Sequence, residues 1–468
     1  MRSRLIELSL LFLVLLALVA VAQAQQSTGP LDEEAIRNAI EQSLTQVPRP
    51  ATVPPSAAGV RLVAVRVEPL PNASHRITVD LNQRALVWAP GGDIESLTTQ
   101  IVESTARLTA PSRAVEYRFL IGGIPLDEFL PDAAAGGIRL PQAVGVPRRV
   151  VISAGHGWYR DEASGSWRLQ RDYHFGIVED FVNWEITHYL KNELIASDFD
   201  VRTARNPERS AGPGLSGHPR WEESAKYYIR DIGAPPSTWD YGVDDYAKDI
   251  NSRPFYANWI DAAALISIHN NGGAGTGTET WYDTSNGHET ESRRLAEIIN
   301  RRVVSAIRER YNPNWMDRGL RSCNACKGEN HFASRPAVIV EIAFMDTQSP
   351  DNAALQSEAF KLFVAQAIRD GIQEFMAAPS SSGGFDAQVR SELMARAARD
   401  ARFGAVVEGS YGIDASWDPE WELRWLEFEF TGSRRARLYH ATLRSDHGVR
   451  FVGFWDPDTG AWRSWERL

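Results

Sequence analysis

Residues 148–158, with the sequence RRVVISAGHGW, decide the fold of the central part of the chain. The apolar, β-branched run at 150–152 is typical of a buried strand. The small residues that follow allow a tight turn, and His156 comes directly after it. Because open α/β sheets bind their ligands at the carboxyl ends of the strands, this position of His156 indicates a functional edge of a sheet.

Two further stretches repeat this design. Residues 262–272, AAALISIHNNG, predict a second buried strand that ends near His269, and residues 336–344, PAVIVEIAF, predict a third that carries Glu341. Any one such polar side chain on its own is more often structural than catalytic. The three together predict an α/β region whose central, twisted, mostly parallel sheet is flanked by helices. They also predict a metal-binding or acid–base site at one edge of that sheet.

The residues around these strands resemble the zinc-dependent N-acetylmuramoyl-L-alanine amidases that cleave peptidoglycan, the family also called amidase type 3. The resemblance extends over residues 148–375. Its motifs occur in the family's order, namely Gly-His-Gly at 155–157, Glu-Asp-Phe-Val-Asn-Trp at 179–184, Arg253 with Ala257-Asn258, Ser-Ile-His-Asn-Asn at 267–271, Gly-Thr-Glu at 277–279, Arg318-Gly319 and Pro-Ala-Val-Ile-Val-Glu at 336–341. Trp158 and Ala263 depart from the family pattern, which has a glycine and an acidic residue at these positions.

The resemblance implies a catalytic Zn²⁺ held by His156, Glu179 and His269. A catalytic zinc keeps its fourth position for water, whose pKa it lowers from about 16 to about 7. Glu341 is implied as the acid–base residue that takes a proton from this water and returns it to the leaving amine. The substrate implied is peptidoglycan, cleaved between N-acetylmuramic acid and L-alanine.

Other polar residues compete with these assignments. Glu185 lies six residues after Glu179, about 600° further round the predicted helix at roughly 100° per residue, and so faces elsewhere. His174 is the alternative or supporting ligand to Glu179. His331 precedes the strand of Glu341 and is predicted to line the cleft. The remaining histidines of this region are interpreted as incidental, namely His188, His218 and His288.

Residues 205–253 form a long segment with little periodicity, rich in glycine, proline and aromatic residues. Segments of this length inside compact domains are usually functional or disordered, and the aromatic content favours packing. We predict a lid or specificity wall over the zinc cleft, with an inert surface insertion as the alternative. In an obstructing lid, Glu222 or Glu223 would approach the metal as a temporary fourth ligand.

The N-terminus predicts export from the cytoplasm. Arg2 and Arg4, the apolar run at 8–21 and Ala-Gln-Ala at 22–24 form the pattern of a secretory signal peptide over residues 1–24. The apolar run is shorter than the roughly 20 residues that span a bilayer, so we favour cleavage over a retained anchor. The predicted location is secreted or in the cell envelope, without a stable membrane span. Export also predicts a local disulfide between Cys323 and Cys326.

Composition and pattern divide the 468 residues into several regions. The net charge of −10 argues against nucleic-acid binding. The predicted regions are a linker with a short helix (25–58), a small α+β domain (59–131), the zinc amidase domain (148–377) and a tryptophan-rich, mainly-β domain (385–468). The strand–strand–helix–strand order of 59–131 resembles the GerMN domain associated with spore germination proteins. The C-terminal tryptophans either stack on sugars or fill a small core.

The combined prediction is an exported, zinc-dependent hydrolase that cleaves the amide bond between N-acetylmuramic acid and L-alanine in peptidoglycan. A regulatory protein is a further candidate partner. Two alternatives remain open: a zinc hydrolase of the same fold that acts on another peptide or amide bond, and a non-catalytic protein that binds the cell wall.

Overall fold

The computed structural model describes residues 31–46, 59–88, 93–130, 149–162 and 164–377, and four strands between residues 424 and 467. The chain divides into two compact units, Met1–Ala378 and Pro379–Leu468. The predicted signal peptide and the connections at 47–58 and 131–148 lie outside the described residues. Among the described residues, no helix has both the length and the apolar character needed to cross a bilayer.

The first unit begins with α1 (Glu33–Leu44), β1 (Leu62–Leu70), β2 (Ser74–Leu81), a 3₁₀ helix (Gln83–Trp88), α2 (Asp93–Thr109), β3 (Ala114–Ile121), β4 (Ile124–Pro125) and a second 3₁₀ helix (Leu126–Phe129). It continues with β5 (Arg149–Ala154), β6 (Tyr159–Asp161), β7 (Ser166–Arg168), β8 (Tyr173–His174), β9 (Ile177–Val178), α3 (Glu179–Ile195), β10 (Asp200–Thr203), α4 (Ala225–Asp231), α5 (Pro236–Trp239) and α6 (Asp245–Trp259). It ends with β11 (Ala264–Asn271), β12 (Thr278–Asp283), α7 (Glu289–Arg310), β13 (Asp317–Cys323), α8 (Gly328–His331), β14 (Ala337–Phe344), α9 (Ala353–Leu355) and α10 (Glu358–Ala377).

A ten-stranded sheet forms the centre of this unit, in the order β1-β2-β3-β13-β12-β14-β11-β5-β10, with β4 paired to β3. The three strands predicted first, β5, β11 and β14, are neighbours and pair in parallel. Antiparallel pairing occurs where β12 meets β14 and in the pairs β1–β2 and β3–β4. The predicted central, mostly parallel sheet flanked by helices is therefore confirmed.

The continuous apolar runs of the central strands follow from burial on both faces of the sheet. Every residue of β11 and β14 is buried. Val150 and Ile152 of β5 pack in a core with α3, α7 and α10, whereas Val151 packs on the opposite face with residues of α4 and α6. A strand covered on both sides has no polar face, so its sequence does not alternate.

The N-terminal region is built onto the same sheet, which the sequence analysis did not foresee. β3 pairs in parallel with β13, in a register that places Ala114 opposite Leu320. Tyr117 stacks on Trp281 of β12, with ring centroids 5.9 Å apart. At Gly319 (φ +67°) a Cβ atom would lie 1.9 Å from the carbonyl oxygen of Arg113, so only glycine allows the two strands this approach.

Other predicted elements have mixed outcomes. The local disulfide between Cys323 and Cys326 is confirmed and closes the turn after β13. The segment at 205–253 is not a bare loop, because it contains α4, α5 and most of α6. The second unit contains a four-stranded antiparallel sheet, β15 (Arg424–Glu429), β16 (Arg437–Arg444), β17 (Arg450–Asp456) and β18 (Ala461–Arg467). The C-terminal tryptophan side chains lie outside the described residues.

Candidate functional site

The structure brings His156, Glu179 and His269 together in one buried cluster. His156 Nε2 lies 3.1 Å from Glu179 Oε1 and 3.1 Å from His269 Nδ1, and Glu179 Oε1 lies 3.3 Å from His269 Nδ1. A tetrahedral ion with ligands at about 2.0–2.1 Å places neighbouring ligand atoms roughly 3.3 Å apart. The triangle of two ring nitrogens and a carboxylate oxygen therefore has the size of a metal site.

The Gly-His-Gly motif places His156 in this triangle. β5 ends at Ala154 beside β11, and His156 then adopts φ +66°, a left-handed conformation that is uncommon for a side chain of this size. At Gly155 a Cβ atom would lie 2.2 Å from Cε1 of His269. Glycine is thus required before His156 so that the two imidazoles can approach each other.

Glu179 is the first residue of α3, as predicted. Its Oε1 accepts hydrogen bonds from the backbone N–H of Asn270 and from Nδ2 of Asn183, each at 3.0 Å. Burial raises the pKa of Glu179, but His156, His269 and Arg171 outweigh it and hold the pKa well below its usual range. The carboxylate is therefore ionised and available to a cation.

The competing residues do not belong to the cluster. Glu185 faces α10, where Lys361 Nζ donates to its Oε2 at 2.5 Å, in agreement with the predicted helix face. His174 lines the cavity around the cluster but is not one of the three clustered residues. The prediction that His331 lines the cleft is wrong, because its ring is buried beside Asp283 and Ser285.

Glu341 opens onto the same cavity as the cluster. It lies on β14 directly beside His269 of β11 in the parallel register. Its side chain is buried, and its Oε2 has no hydrogen-bond partner among the described residues. Burial raises the pKa of Glu341 to about 8, even though His269 lowers it. A carboxyl group with a raised pKa and a free oxygen is suited to proton transfer.

The cavity has a volume of about 1120 Å³. Tyr246 and Ile250 of α6 line it, so the segment at 205–253 contributes to the site through its helix. Glu95 and Glu103 of α2 also line it. The N-terminal region therefore borders the candidate site directly.

The hypothesis that Glu222 or Glu223 approaches the metal finds no support in this arrangement. Glu222 accepts a hydrogen bond from Trp158 Nε1 at 3.2 Å, and Glu223 accepts one from the backbone of Ser216 at 2.7 Å. Neither residue lines the cavity. In this structure Glu222 connects the 205–253 segment to Trp158, and Glu223 forms a contact within the segment.

Two residues that no sequence pattern indicated contact the ring nitrogens of the histidines that point away from the cluster. Gln170 Oε1 lies 2.9 Å from His156 Nδ1, and Glu329 Oε1 lies 3.0 Å from His269 Nε2. Burial raises the pKa of Glu329, but Arg253 and His269 hold it far below its usual range. Neither residue follows a predicted strand or belongs to a motif, so no local signal identified them.

Two buried arginines bind neighbouring parts of the fold instead of contacting the cluster. Arg205 donates to the backbone carbonyls of Gly155 and Asp180, at 3.1 and 2.7 Å. Glu279 accepts from Arg318 Nε at 2.6 Å in a buried ion pair. Arg205 therefore holds the backbone next to His156 and Glu179, and the ion pair joins β12 to β13.

Comparisons with known proteins give one family match and two relatives. Residues 150–374 match the family model described as N-acetylmuramoyl-L-alanine amidase. The uncharacterized protein YqiI of Bacillus subtilis (strain 168) is 31% identical over 134 residues, which cover 28% of this chain and 60% of that protein. An uncharacterized cell wall amidase of Bacillus anthracis is 33% identical over 133 residues, which cover 27% of this chain and 23% of that protein. The chain thus spans less than two thirds of the length of either relative.

Two solved structures are similar to about half of the chain. The N-acetylmuramoyl-L-alanine amidase of Clostridium difficile 630 is 22% identical, with a TM-score of 0.34, and the match covers 50% of this chain and 100% of that chain. The catalytic domain of CwlV, from Bacillus (Paenibacillus) polymyxa var. colistinus, is 22% identical, with a TM-score of 0.33, over 49% of this chain and 98% of that chain. By its match to the family model, the part of this chain from residue 150 to residue 374 belongs to the N-acetylmuramoyl-L-alanine amidase family.

Proposed function

We propose that the protein is a zinc-dependent hydrolase that cleaves the amide bond between N-acetylmuramic acid and L-alanine in peptidoglycan. The observation that carries the proposal is the buried triangle of His156, Glu179 and His269 with Glu341 beside it in one cavity. Two imidazoles and one carboxylate are a common donor set of catalytic zinc, and three protein ligands leave a position open for water.

The residues of the chain divide the chemistry among them. When bound, Zn²⁺ polarises the amide carbonyl and lowers the pKa of water. Glu341 takes a proton from the attacking water as the oxygen adds to the carbonyl carbon of the lactyl group. It then gives this proton to the nitrogen of L-alanine as the C–N bond breaks. The products are a lactyl carboxylate and a peptide with a free amino terminus.

The raised pKa of Glu341 is compatible with both proton transfers, from water and to the leaving nitrogen. A base must be ionised to accept the proton, and its pKa without a neighbouring metal ion is about 8. A divalent cation close to a carboxylate lowers its pKa, because the opposite charge favours the ionised form. With a cation bound, the ionised form of Glu341 would be favoured further, as the first proton transfer requires.

We further propose that the protein acts outside the cytoplasmic membrane. The supporting observations are the signal-peptide pattern at residues 1–24 and the disulfide between Cys323 and Cys326, which is typical of oxidising compartments. Peptidoglycan also lies outside the cytoplasmic membrane. A regulatory protein partner stays a prediction.

Digestion of purified peptidoglycan by the full-length protein tests the proposal. The expected products are glycan strands with free lactyl groups and peptides that begin with L-alanine, and a chelator should abolish their formation. Glu341→Gln should keep the zinc and lose about 10²–10⁴-fold in rate. Glu374→Gln, a substitution of a surface carboxylate that pairs with Arg302 and does not line the cavity, is the matched control.

Other results would favour the alternatives. Release of carboxyl-terminal residues without free lactyl groups would indicate a hydrolase for another peptide bond. Binding to peptidoglycan without any cleavage by the zinc-loaded protein would indicate a wall-binding protein. Activity of Glu341→Gln close to that of the wild type would remove Glu341 from the mechanism.

A further inference from the structure

We propose that Glu329 and Gln170 are positioning residues for the two metal-binding histidines. Asp249 and Arg253 connect Glu329 and Gln170 in one buried hydrogen-bond network. The inference rests on the proposed function, because it concerns the metal centre assigned there. It is tested by metal binding, which does not depend on the identity of the substrate.

Glu329 fixes the proton of His269. The Nδ1 atom of His269 belongs to the ligand triangle, so it must be unprotonated to bind a metal ion. The ring proton then has to reside on Nε2, which lies 3.0 Å from Glu329 Oε1. An ionised carboxylate only accepts hydrogen bonds, so it favours this tautomer and holds the plane of the ring.

Gln170 has the same role at His156. Its Oε1 lies 2.9 Å from His156 Nδ1, which leaves Nε2 of the ring free for the metal. Its Nε2 donates to Asp249 Oδ2 at 2.8 Å. Because the amide nitrogen is committed to Asp249, the amide oxygen must point at His156. The amide therefore selects the tautomer that is competent to bind a metal ion.

Asp249 and Arg253 connect these two partners from a single helix. They lie four residues apart on α6, and neither side chain is exposed (0% each). Arg253 donates to Asp249 Oδ2 through Nη2, at 2.6 Å, and to Glu329 Oε1 through Nη1. Breaking a buried ion pair leaves an uncompensated charge and is strongly destabilising, so these side chains have a strong preference for the paired arrangement. The positions of both histidines thus depend on one set of side chains.

The two residues before Glu329 are bound to the N-terminal region. It belongs to the four-residue helix α8, which follows the turn closed by the disulfide. The backbone N–H of Gly328 donates to Glu95 Oε2 at 2.7 Å, and Lys327 Nζ donates to Thr99 Oγ1 at 2.8 Å. Both acceptors are on α2. The contacts that orient His269 therefore extend to an element outside the region matched by the family model.

The test measures the zinc dissociation constant of the full-length protein by competition with a chelating dye. Glu329→Gln keeps the size of the side chain and removes its charge, and is expected to weaken zinc binding by about 10–100-fold. Gln170→Ala should weaken it in the same range. In the double variant the loss should be smaller than the product of the single losses, because members of one network are not additive. The absorption spectrum of the cobalt-substituted protein should change in both single variants.

Asp245→Asn is the matched control. Asp245 is another buried carboxylate of α6, bound to Lys226 and Tyr227, and it contacts neither histidine. Its substitution should lower the melting temperature of the protein without changing the zinc dissociation constant or the cobalt spectrum. An equal loss of zinc affinity in Asp245→Asn and Glu329→Gln would overturn the inference, because the effect would then be one of general stability.

The remaining outcomes separate the two proposals. Zinc affinity and a cobalt spectrum of Glu329→Gln equal to those of the wild type overturn the inference. If that variant does not fold, an unchanged affinity in Gln170→Ala overturns it. If the wild-type protein binds no zinc, both proposals fail. If zinc affinity responds as expected but peptidoglycan is not cleaved, only the proposed function fails.

Discussion

At the scale of single residues, two large side chains of the first unit are carried on a left-handed backbone. His156 has φ +66° and Phe175 has φ +47°. Such conformations cost about 1–3 kcal/mol for residues other than glycine. At His156 the conformation brings the imidazole to Glu179 and His269. At Phe175 it forms the two-residue turn between β8 and β9 together with Gly176 at φ +92°, and the ring of Phe175 remains 49% exposed.

Phe175→Asn is expected to stabilise the protein by about 1 kcal/mol, because asparagine accepts a left-handed turn position that phenylalanine does not. The measurement is the free energy of unfolding from denaturant titration. Tyr173→Asn is the control, since Tyr173 is an exposed aromatic residue (61%) of the same hairpin without a positive φ. If both substitutions change the stability equally, strain at Phe175 is not significant.

At the scale of elements, the joint between β12 and β13 depends on a buried carboxylate. Glu279 of β12 accepts from Arg318 Nε at 2.6 Å, from Asn271 Nδ2 at 2.7 Å and from Trp281 Nε1 at 3.0 Å. Arg318 also donates to the carbonyl of Ala106 at the end of α2. The ion pair thus ties the central sheet to the N-terminal region.

This ion pair should make the stability of the protein depend on acidic pH. Burial raises the pKa of Glu279, but Arg318 and Arg321 outweigh it and hold the pKa at about 2, below the ordinary value of 4.5. The stabilisation by the ionised carboxylate is therefore complete above pH 4.5 and is lost as the pH falls towards 2. The contribution of the ionised carboxylate to the free energy of unfolding is on the order of 3 kcal/mol.

Thermal unfolding between about pH 6 and pH 3 measures this effect. The melting temperature of the wild type should fall more steeply with acid than that of Glu279→Gln, which has no carboxylate to protonate. Parallel curves for the two proteins would show that the pKa of Glu279 does not differ between the folded and unfolded states.

At the scale of the whole first unit, the N-terminal region and the amidase region share a sheet and a hydrophobic core. Tyr117 and Phe119 of β3 pack in one cluster with Trp281, Cys323 and Ile339. Helix α2 of the same region lines the cavity. The amidase region taken alone would expose the edge of β13 and this apolar cluster, and an uncovered strand edge with apolar side chains favours aggregation.

A chain that contains only residues 149–378 is therefore expected to be less soluble and less stable than a chain of residues 31–378. The shorter chain should also bind a hydrophobic dye, because Trp281 and Ile339 become exposed when the N-terminal region is absent. The measurements are melting temperature, dye fluorescence and size-exclusion chromatography at equal concentration. Equal behaviour of the two chains would show that the amidase region does not need the N-terminal region to fold.

The local sequence determined the elements that carry the site. The strands β5, β11 and β14 are buried on both faces, so their sequences are continuous apolar runs that can be recognised without any neighbour. The motif order then indicated which polar residues at the strand ends belong together.

Only the tertiary structure decided what surrounds these residues. The pairing of β3 with β13 joins segments about two hundred residues apart, and no local pattern specifies such a register. Glu329 and Gln170 reach the histidines from a short helix and a loop, where side-chain direction depends on long-range packing instead of a periodic repeat. The sequence by itself therefore determined the candidate ligands and the central strands. The fold decided how the ligands are oriented and what encloses them, because both depend on contacts between distant parts of the chain.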